Sequence, residues 1–399
     1  MPRTRVAVTA MGAVSAAGRD VAAYAAALRA PRRRFGAPQR LELALDVVVG
    51  EADPSCFAAC GEAACSSPTG ALCLFAAREC AADALLLGAP RPDGLALGTS
   101  TGGQSRNEDA VFALLDGRGV GGFSYRAAGC MAGPSRLVAR ELGIEGPVQT
   151  VSTACTSSAN AIALAAAWIR AGRCRAVLAG GGDALCRTTL ASFSALELTG
   201  ASMCTPFGPN RPGMTLGEGA AFLLLEPLDA VVAAGRRPLA ELEGAGLSCD
   251  AHHMTAPNED GAGGELAMRR ALADAGRDPG EVHHINAHGT GTMLNDAAEA
   301  RAIARLFPSR PWVMSCKGLI GHTLGGAGAL EAVAAVLSIR GRRAFENLGA
   351  AIPDPELPIA LVGPGGVDLP SIPVVLSSSF AFGGNNCALV FSAADGGAP

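Results

Sequence analysis

Short, continuously apolar segments run into glycine- or hydroxyl-rich turns and then into alanine-rich stretches along this whole chain, and nothing constrains its fold more. A strand that is apolar at every position must be covered on both faces, since a half-exposed strand alternates with period two. Such strands alternating with helices require an α/β architecture, with helices packed against both faces of the sheet.

The pattern predicts strands over Val6–Thr9, Leu95–Gly98, Val148–Ser152, Ala176–Gly182 and Ala220–Glu226, with helices over Thr69–Leu87 and Ser157–Ala171. Gly12 and Gly18 read as the turn after the first strand. Near Pro238 the scheme begins again. Strands follow over Leu239–Gly246, Val282–Ala287, Val313–Ser315, Val374–Ser378 and Cys387–Ser392, with helices over Gly264–Gly276, Asp296–Leu306 and Gly325–Arg340. The expectation is a duplicated α/β unit, with halves at 1–237 and 238–399.

Aromatic residues make up only 4% of the 399 residues while 52 are glycine, so the core is expected to rest on small side chains and close backbone approach. The formal net charge of -4 gives no electrostatic reason to expect nucleic acid. Arg32-Arg33-Arg34 and Arg340-Gly341-Arg342-Arg343 are the tight basic clusters, and both read as solvated faces. The start of the chain lacks the apolar stretch of an export signal, and no uninterrupted apolar run reaches the roughly 18 residues of a membrane span. The 13 cysteines are scattered and form no CxxC pair. Reduced thiols in the cytoplasm are the expectation, most of them small core fillers.

Four places carry chemistry. Cys155 stands where a buried strand turns into a helix, in Ser152-Thr153-Ala154-Cys155-Thr156-Ser157. A helix N-terminus presents free N–H groups and favours a thiolate there. His288 ends a strand in Ala287-His288-Gly289-Thr290-Gly291-Thr292, a polar edge where sheets of this kind bind ligands. Lys317 is the one lysine among 32 basic residues, five residues before His322 in a glycine-punctuated turn, and Glu331 lies in the helix that follows. A compact, titratable ammonium differs in kind from the planar guanidinium used everywhere else. The late turn Phe380-Ala381-Phe382-Gly383-Gly384-Asn385 lets backbone approach a ligand closely. These spacings match no zinc site, so no metal is expected. No phosphate loop is present, and Gly325-Gly326-Ala327-Gly328 lacks the context of a dinucleotide site. His252, His253, His283 and His284 read as structural or surface residues.

In this order the motifs resemble the elongating β-ketoacyl-acyl-carrier-protein synthases of the thiolase superfamily. The resemblance runs from Val6–Gly18 through Gly98–Gly103, Cys155, Gly180–Gly182, Gly217–Gly219, His288 and Lys317–Gly328 to Phe380–Asn385. It implies a thiolase-like fold layered α-β-α-β-α and a decarboxylative Claisen condensation. Cys155 would be the acylated nucleophile, and His288 and His322 the donors to the malonyl thioester. Lys317 would support His322 and pair with Glu331. The N–H groups of Cys155 and Phe382 would form the oxyanion hole, with Phe382 as the aromatic gate, and Thr290 and Thr292 would hold pantetheine. No cofactor is implied, because 4'-phosphopantetheine arrives on the acyl carrier protein. The implied assembly is a homodimer, with pairing to a related subunit as the alternative. Two rival readings are a coenzyme A-dependent condensing enzyme on the same fold and a non-catalytic heterodimer partner.

The sequence departs from the family where Ala381 replaces the glycine between the two phenylalanines. The stretch from Gly103 to Gly143 is short and glycine-rich, and Ala63–Gly70 lacks the basic residues with which relatives meet their carriers. The altered gate and the short stretch from Gly103 to Gly143 suggest a specialised polyene or polyketide synthase.

Overall fold

The computed structural model describes residues 3–60, 67–121, 123–350, 352–371 and 373–394. The first half supplies strands β1 (Val6–Ser15), β2 (Gly94–Gly98), β3 (Val148–Val151), β4 (Val177–Asp183) and β5 (Gly219–Pro227), with helices α1 (Pro68–Leu86), α2 (Gly133–Leu142) and α3 (Ser157–Arg170). The second supplies β6 (Ala240–Cys249), β7 (His284–Asn286), β8 (Trp312–Met314), β9 (Val374–Phe380) and β10 (Asn385–Ser392), with helices α4 (Ala262–Ala275), α5 (Met293–Leu306) and α6 (Ala327–Gly341).

Strand order demonstrates the duplication. The first half runs β1-β5-β4-β2-β3 in space and the second β6-β10-β9-β7-β8, the same permutation of first, fifth, fourth, second and third. Pairing sense matches as well. The first two contacts of each half are antiparallel and the last two parallel. A short antiparallel contact over Val6–Val8 joins β1 to β6, and Ala360–Leu361 adds an edge beside β8. Among the described residues, eleven strands thus form one hydrogen-bonded sheet.

That sheet doubles back around two helices, since α3 and α6 each touch strands of both halves. Helices α1 and α2 cover the outer face of the first half. On the second half α4 packs against β6 and β10, with α5 against α4. The layers read α-β-α-β-α. Helix α6 is buried almost all the way round, as a helix between two sheets must be. Small residues make this possible: a Cβ on Gly328 would stand 2.7 Å from the Ala159 methyl of α3. The window Leu324–Gly341 is apolar enough to cross a membrane by composition, yet 89% of it is buried inside the protein.

The first strand is longer than the pattern predicts, and Gly12 lies inside it. A Cβ there would meet the Ala76 carbonyl of α1 at 2.0 Å, so this glycine permits a strand–helix approach, not a turn. The turn is formed by Ser15 and Gly18, which exchange backbone hydrogen bonds of 2.9 and 3.1 Å. Ser67 caps α1 through the Gly70 N–H at 3.0 Å. Of the basic-poor stretch Ala63–Gly70, residues 63–66 lie outside the described residues, as does Gly122 of the glycine-rich stretch.

Candidate active site

Cys155 follows β3 on a tight turn that leads into α3. Ala154 adopts a left-handed φ of 52°, and its carbonyl accepts from Ser100 Oγ (2.9 Å) and Ser157 Oγ (2.6 Å). A non-glycine residue at positive φ is held there by its surroundings, and this turn points the thiol away from the sheet. His322 lies at the matching place of the second half, between β8 and α6. The repeat therefore brings two equivalent helix starts together, and His322 Nε2 stands 3.1 Å from Cys155 Sγ. The Phe382 backbone N–H also donates toward Cys155.

His288 leaves the end of β7 with its ring edge-on to His322, centroids 5.3 Å apart. Its N–H and that of Gly289 donate to the buried Glu299 carboxylate at 2.9 and 2.8 Å. Lys317 is buried and forms an ion pair with Glu331. Its Nζ lies 3.2 Å from His288 Nδ1 and 2.6 Å from the His288 carbonyl. The lysine thus serves His288 by contact, where the sequence resemblance had implied His322. The reason is geometric: Lys317 opens a short helix whose first turn faces the end of β7. His322 feels the ammonium only through space, and its Nδ1 has no hydrogen-bond partner among the described residues.

Burial dominates the electrostatics. The Cys155 thiol is pushed up to about 12 by desolvation, against the pull of Lys317. Desolvation and the Lys317 charge hold both His288 and His322 well below the ordinary imidazole value. Burial therefore works against the thiolate that the helix start favours, because removing water disfavours the anion. The resting pair is thiol and neutral imidazole. Alkylation of Cys155, followed by peptide mass mapping, should rise roughly tenfold per pH unit to about pH 9. A plateau from neutral pH would instead reveal a preformed ion pair.

Burial also pushes Glu299 up to about 7 from its ordinary 4.5. Between those values the folded protein keeps a proton that the unfolded chain has released, so stability falls as pH rises through the window. Urea unfolding should show a loss on the order of 1–3 kcal/mol from this group. Glu299→Gln should flatten that slope.

A cavity of about 290 Å³ reaches Cys155, His288 and His322, with Thr290, Thr292 and Met293 along its wall. The two threonine hydroxyls are 2.8 Å apart. Phe382 stacks on Phe193 at 5.5 Å and 11°, and Phe380 lies 6.0 Å from His288. Ala381 has φ −143° and ψ 155°, extended geometry that alanine adopts freely, so bending in this loop falls to Gly383 (φ 79°) and Gly384 (φ 74°).

The other histidines lie outside this cluster. His284 is buried with Nδ1 2.8 Å from the Trp312 carbonyl, and the exposed His253 accepts from its own loop. Among the described residues no group of three or more His, Cys, Asp or Glu is arranged to hold a metal ion. Sequence reasoning missed Arg33, read there as part of a solvated face. Its guanidinium donates to the carbonyls of Gly318 (2.9 Å), Cys204 (2.6 Å) and Leu348 (3.2 Å) and so braces the lysine turn. Arg32 and Arg34 are exposed, and that alternation along an extended segment was the available signal. Phe193 and Glu299 were also missed, since neither lies in a recognisable motif.

Comparison with known proteins agrees with this geometry. Residues 3–230 match the family model for the β-ketoacyl synthase N-terminal domain, and residues 239–350 that for its C-terminal domain. The chain is 37% identical over 310 residues to 3-oxoacyl-[acyl-carrier-protein] synthase 2 of Synechocystis sp., covering 75% of this chain and 74% of that protein. The ishigamide ketosynthase/chain length factor structure superposes with a TM-score of 0.89 at 30% identity, over 98% of this chain and 100% of the other. A ketosynthase from Xenorhabdus doucetiae, solved with its chain length factor, gives 0.84 at 32% identity over 98% of each chain. With Cys155, His288 and His322 gathered at one cavity and Lys317 behind His288, the chain belongs to the β-ketoacyl synthase family, as an acyltransferase of fatty acid or polyketide biosynthesis on a thiolase-like fold.

Proposed function

We propose that this chain elongates acyl groups delivered by an acyl carrier protein, and that Cys155, His288, His322 and Lys317 carry the reaction. The 3.1 Å contact of Cys155 Sγ with His322 Nε2 supports this reading most directly. Cys155 attacks the incoming thioester, its proton passes by way of His322 to the departing pantetheine thiolate, and an acyl-Cys155 thioester remains. Malonyl-carrier protein then loses carbon dioxide, leaving an enolate whose oxygen accepts hydrogen bonds from both histidines. The enolate carbon attacks the acyl carbon. The N–H groups of Cys155 and Phe382 hold the resulting oxyanion, and its collapse expels the Cys155 thiolate, which takes up a proton from water to restore the thiol. Aimed donors of this kind are worth about 3–4 kcal/mol each.

Lys317 has a definite task in this scheme. As a donor to His288 Nδ1 it fixes the ring proton on Nε2, so that a neutral imidazole donates to the enolate. Thr290 and Thr292 hold the pantetheine arm. The chemistry calls for no metal or redox group. The buried, unpaired cysteines support a reducing, cytoplasmic setting.

The chain pairs with a second chain of its fold. Val111, Phe112, Leu114 and Leu115 are exposed on the helix Gln104–Leu115, and β3 ends the sheet as an edge. Exposed apolar surface of this extent, beside an open edge, marks an interface. Leu115→Arg should convert the dimer to monomer in size-exclusion chromatography. Co-purification then distinguishes a second copy from a related subunit such as the chain length factors seen with the structural neighbours.

Those neighbours support a specialised polyketide or polyene pathway. Intact mass after incubation with a panel of acyl carriers tests the whole reading. An adduct on Cys155 from acyl carriers is expected, and fastest labelling by saturated medium chains would remove the specialised pathway. An adduct from acyl-coenzyme A alone would favour the coenzyme A reading, and no adduct at all the non-catalytic one.

A further inference from the structure

No hydrogen bond at Nδ1 steers the His322 ring among the described residues, so the backbone turn that carries it and the edge of His288 set its direction toward Cys155. Cys155 depends likewise on the turn before it, where Ala154 holds its left-handed φ. One side chain touches the supports of both turns. Asp183 ends β4, fully buried, and forms no ion pair among the described residues.

Five donors converge on its carboxylate. Oδ1 accepts from Thr99 Oγ1 (2.5 Å), Thr101 Oγ1 (2.7 Å) and the Thr101 N–H (2.9 Å). Oδ2 accepts from the Ser100 N–H (2.9 Å) and the Gly325 N–H (2.7 Å). A carboxylate, which only accepts, matches such a ring of donors. Burial pushes its carboxyl up, and the donors of residues 99–101 pull it back. Ser100, so fixed, donates through Oγ to the Ala154 carbonyl at 2.9 Å and braces the left-handed turn. Gly325 stands three residues beyond His322, and a Cβ on it would meet the Ser100 nitrogen at 2.6 Å, so the two loops touch.

We propose that Asp183 is a positioning residue that sets the approach of Cys155 to His322, holding the cysteine turn through Ser100 and the histidine turn through Gly325. The proposal rests on the ketosynthase reading above, in which the Cys155 proton passes by way of His322. An amide of the same size is no substitute, because its N–H groups would face other donors.

The test is a double-mutant cycle on the rate at which a saturating acyl carrier protein acylates Cys155, read by intact mass. Asp183→Asn should lower that rate about 10²-fold and leave the half-saturating carrier concentration within about twofold, as misalignment of reacting groups does. With His322→Ala already present, the same change should cost less than about threefold, because the contact it disturbs is gone. Ser100→Ala keeps the carboxylate and should lose about fivefold, with the same non-additivity; it carries the test if Asp183→Asn does not fold. Thr99→Val removes a donor that leads to neither turn and should keep at least about half the rate. Equal losses with and without His322 would overturn the proposal, as would an unchanged rate in folded Asp183→Asn or Ser100→Ala protein. If the unmodified protein takes up no acyl group, the ketosynthase reading fails and this role with it; uptake beside an additive cycle removes the role alone.

Discussion

Cys155→Ala should yield no acyl adduct with any carrier and lower condensation by at least about 10⁴-fold. The magnitude follows from the thiol's isolation. Its sulfur is the one nucleophile within reach of His322 Nε2 among the described residues, and the Phe382 N–H lies against that same sulfur. The loss should fall on acyl transfer while decarboxylation of malonyl-carrier protein survives, because His288, His322 and Lys317 remain in place. Intact mass and carbon dioxide release, measured on the same sample, separate the two half-reactions. A Cys155→Ala protein that still carried an acyl group would move the nucleophile elsewhere.

Lys317→Met should be the most damaging single change to both stability and chemistry. It leaves the Glu331 carboxylate buried with only Ser379 Oγ as a side-chain donor, at 3.3 Å. Breaking a buried ion pair from one side costs about 3–5 kcal/mol, and burial already raises Glu331 above the ordinary carboxylate value. It also removes the donor at His288 Nδ1, which frees the ring to take the tautomer that cannot donate to the enolate. Lys317→Arg should fail as well, since a planar fork does not fit where a point charge meets a carboxylate, a carbonyl and a ring nitrogen. The double variant Lys317→Met/Glu331→Leu separates the two effects. Denaturant unfolding should show much of the lost stability regained, while malonyl decarboxylation stays low. If activity returns together with stability, the lysine's role is structural only.

Much of this was legible in the residues. Apolar strands alternating with helices specified the covered sheets, and the predicted helices and strands lie close to their places, although the first strand runs on to Ser15 and the helices Gln104–Leu115 and Gly133–Leu142 went unread. Cys155, His288, Lys317, His322 and Phe382 stood out because each sits on a turn directly beyond a strand, where glycine and hydroxyl residues break the apolar run. The structure brings four of them to one cavity and sets Lys317 behind His288. Ends of elements were less legible. Gly12 looks like a turn residue in one dimension, and only the approach of α1 in space explains it.

What the sequence determined by itself is the set of elements, their repetition and the identity of the reactive groups, because local periodicity and residue chemistry act over a few positions. What tertiary structure decided is which groups meet and in what charge state. Lys317 meets His288 because β7 and β8 are parallel neighbours, which lays the lysine turn beside the end of β7. Burial favours the Cys155 thiol over its thiolate, and that burial comes from elements of both halves packed around it. Arg33 turns from solvent to brace three carbonyls brought together from distant parts of the chain. Contact across hundreds of residues, and the desolvation that follows from it, leave no local pattern to read.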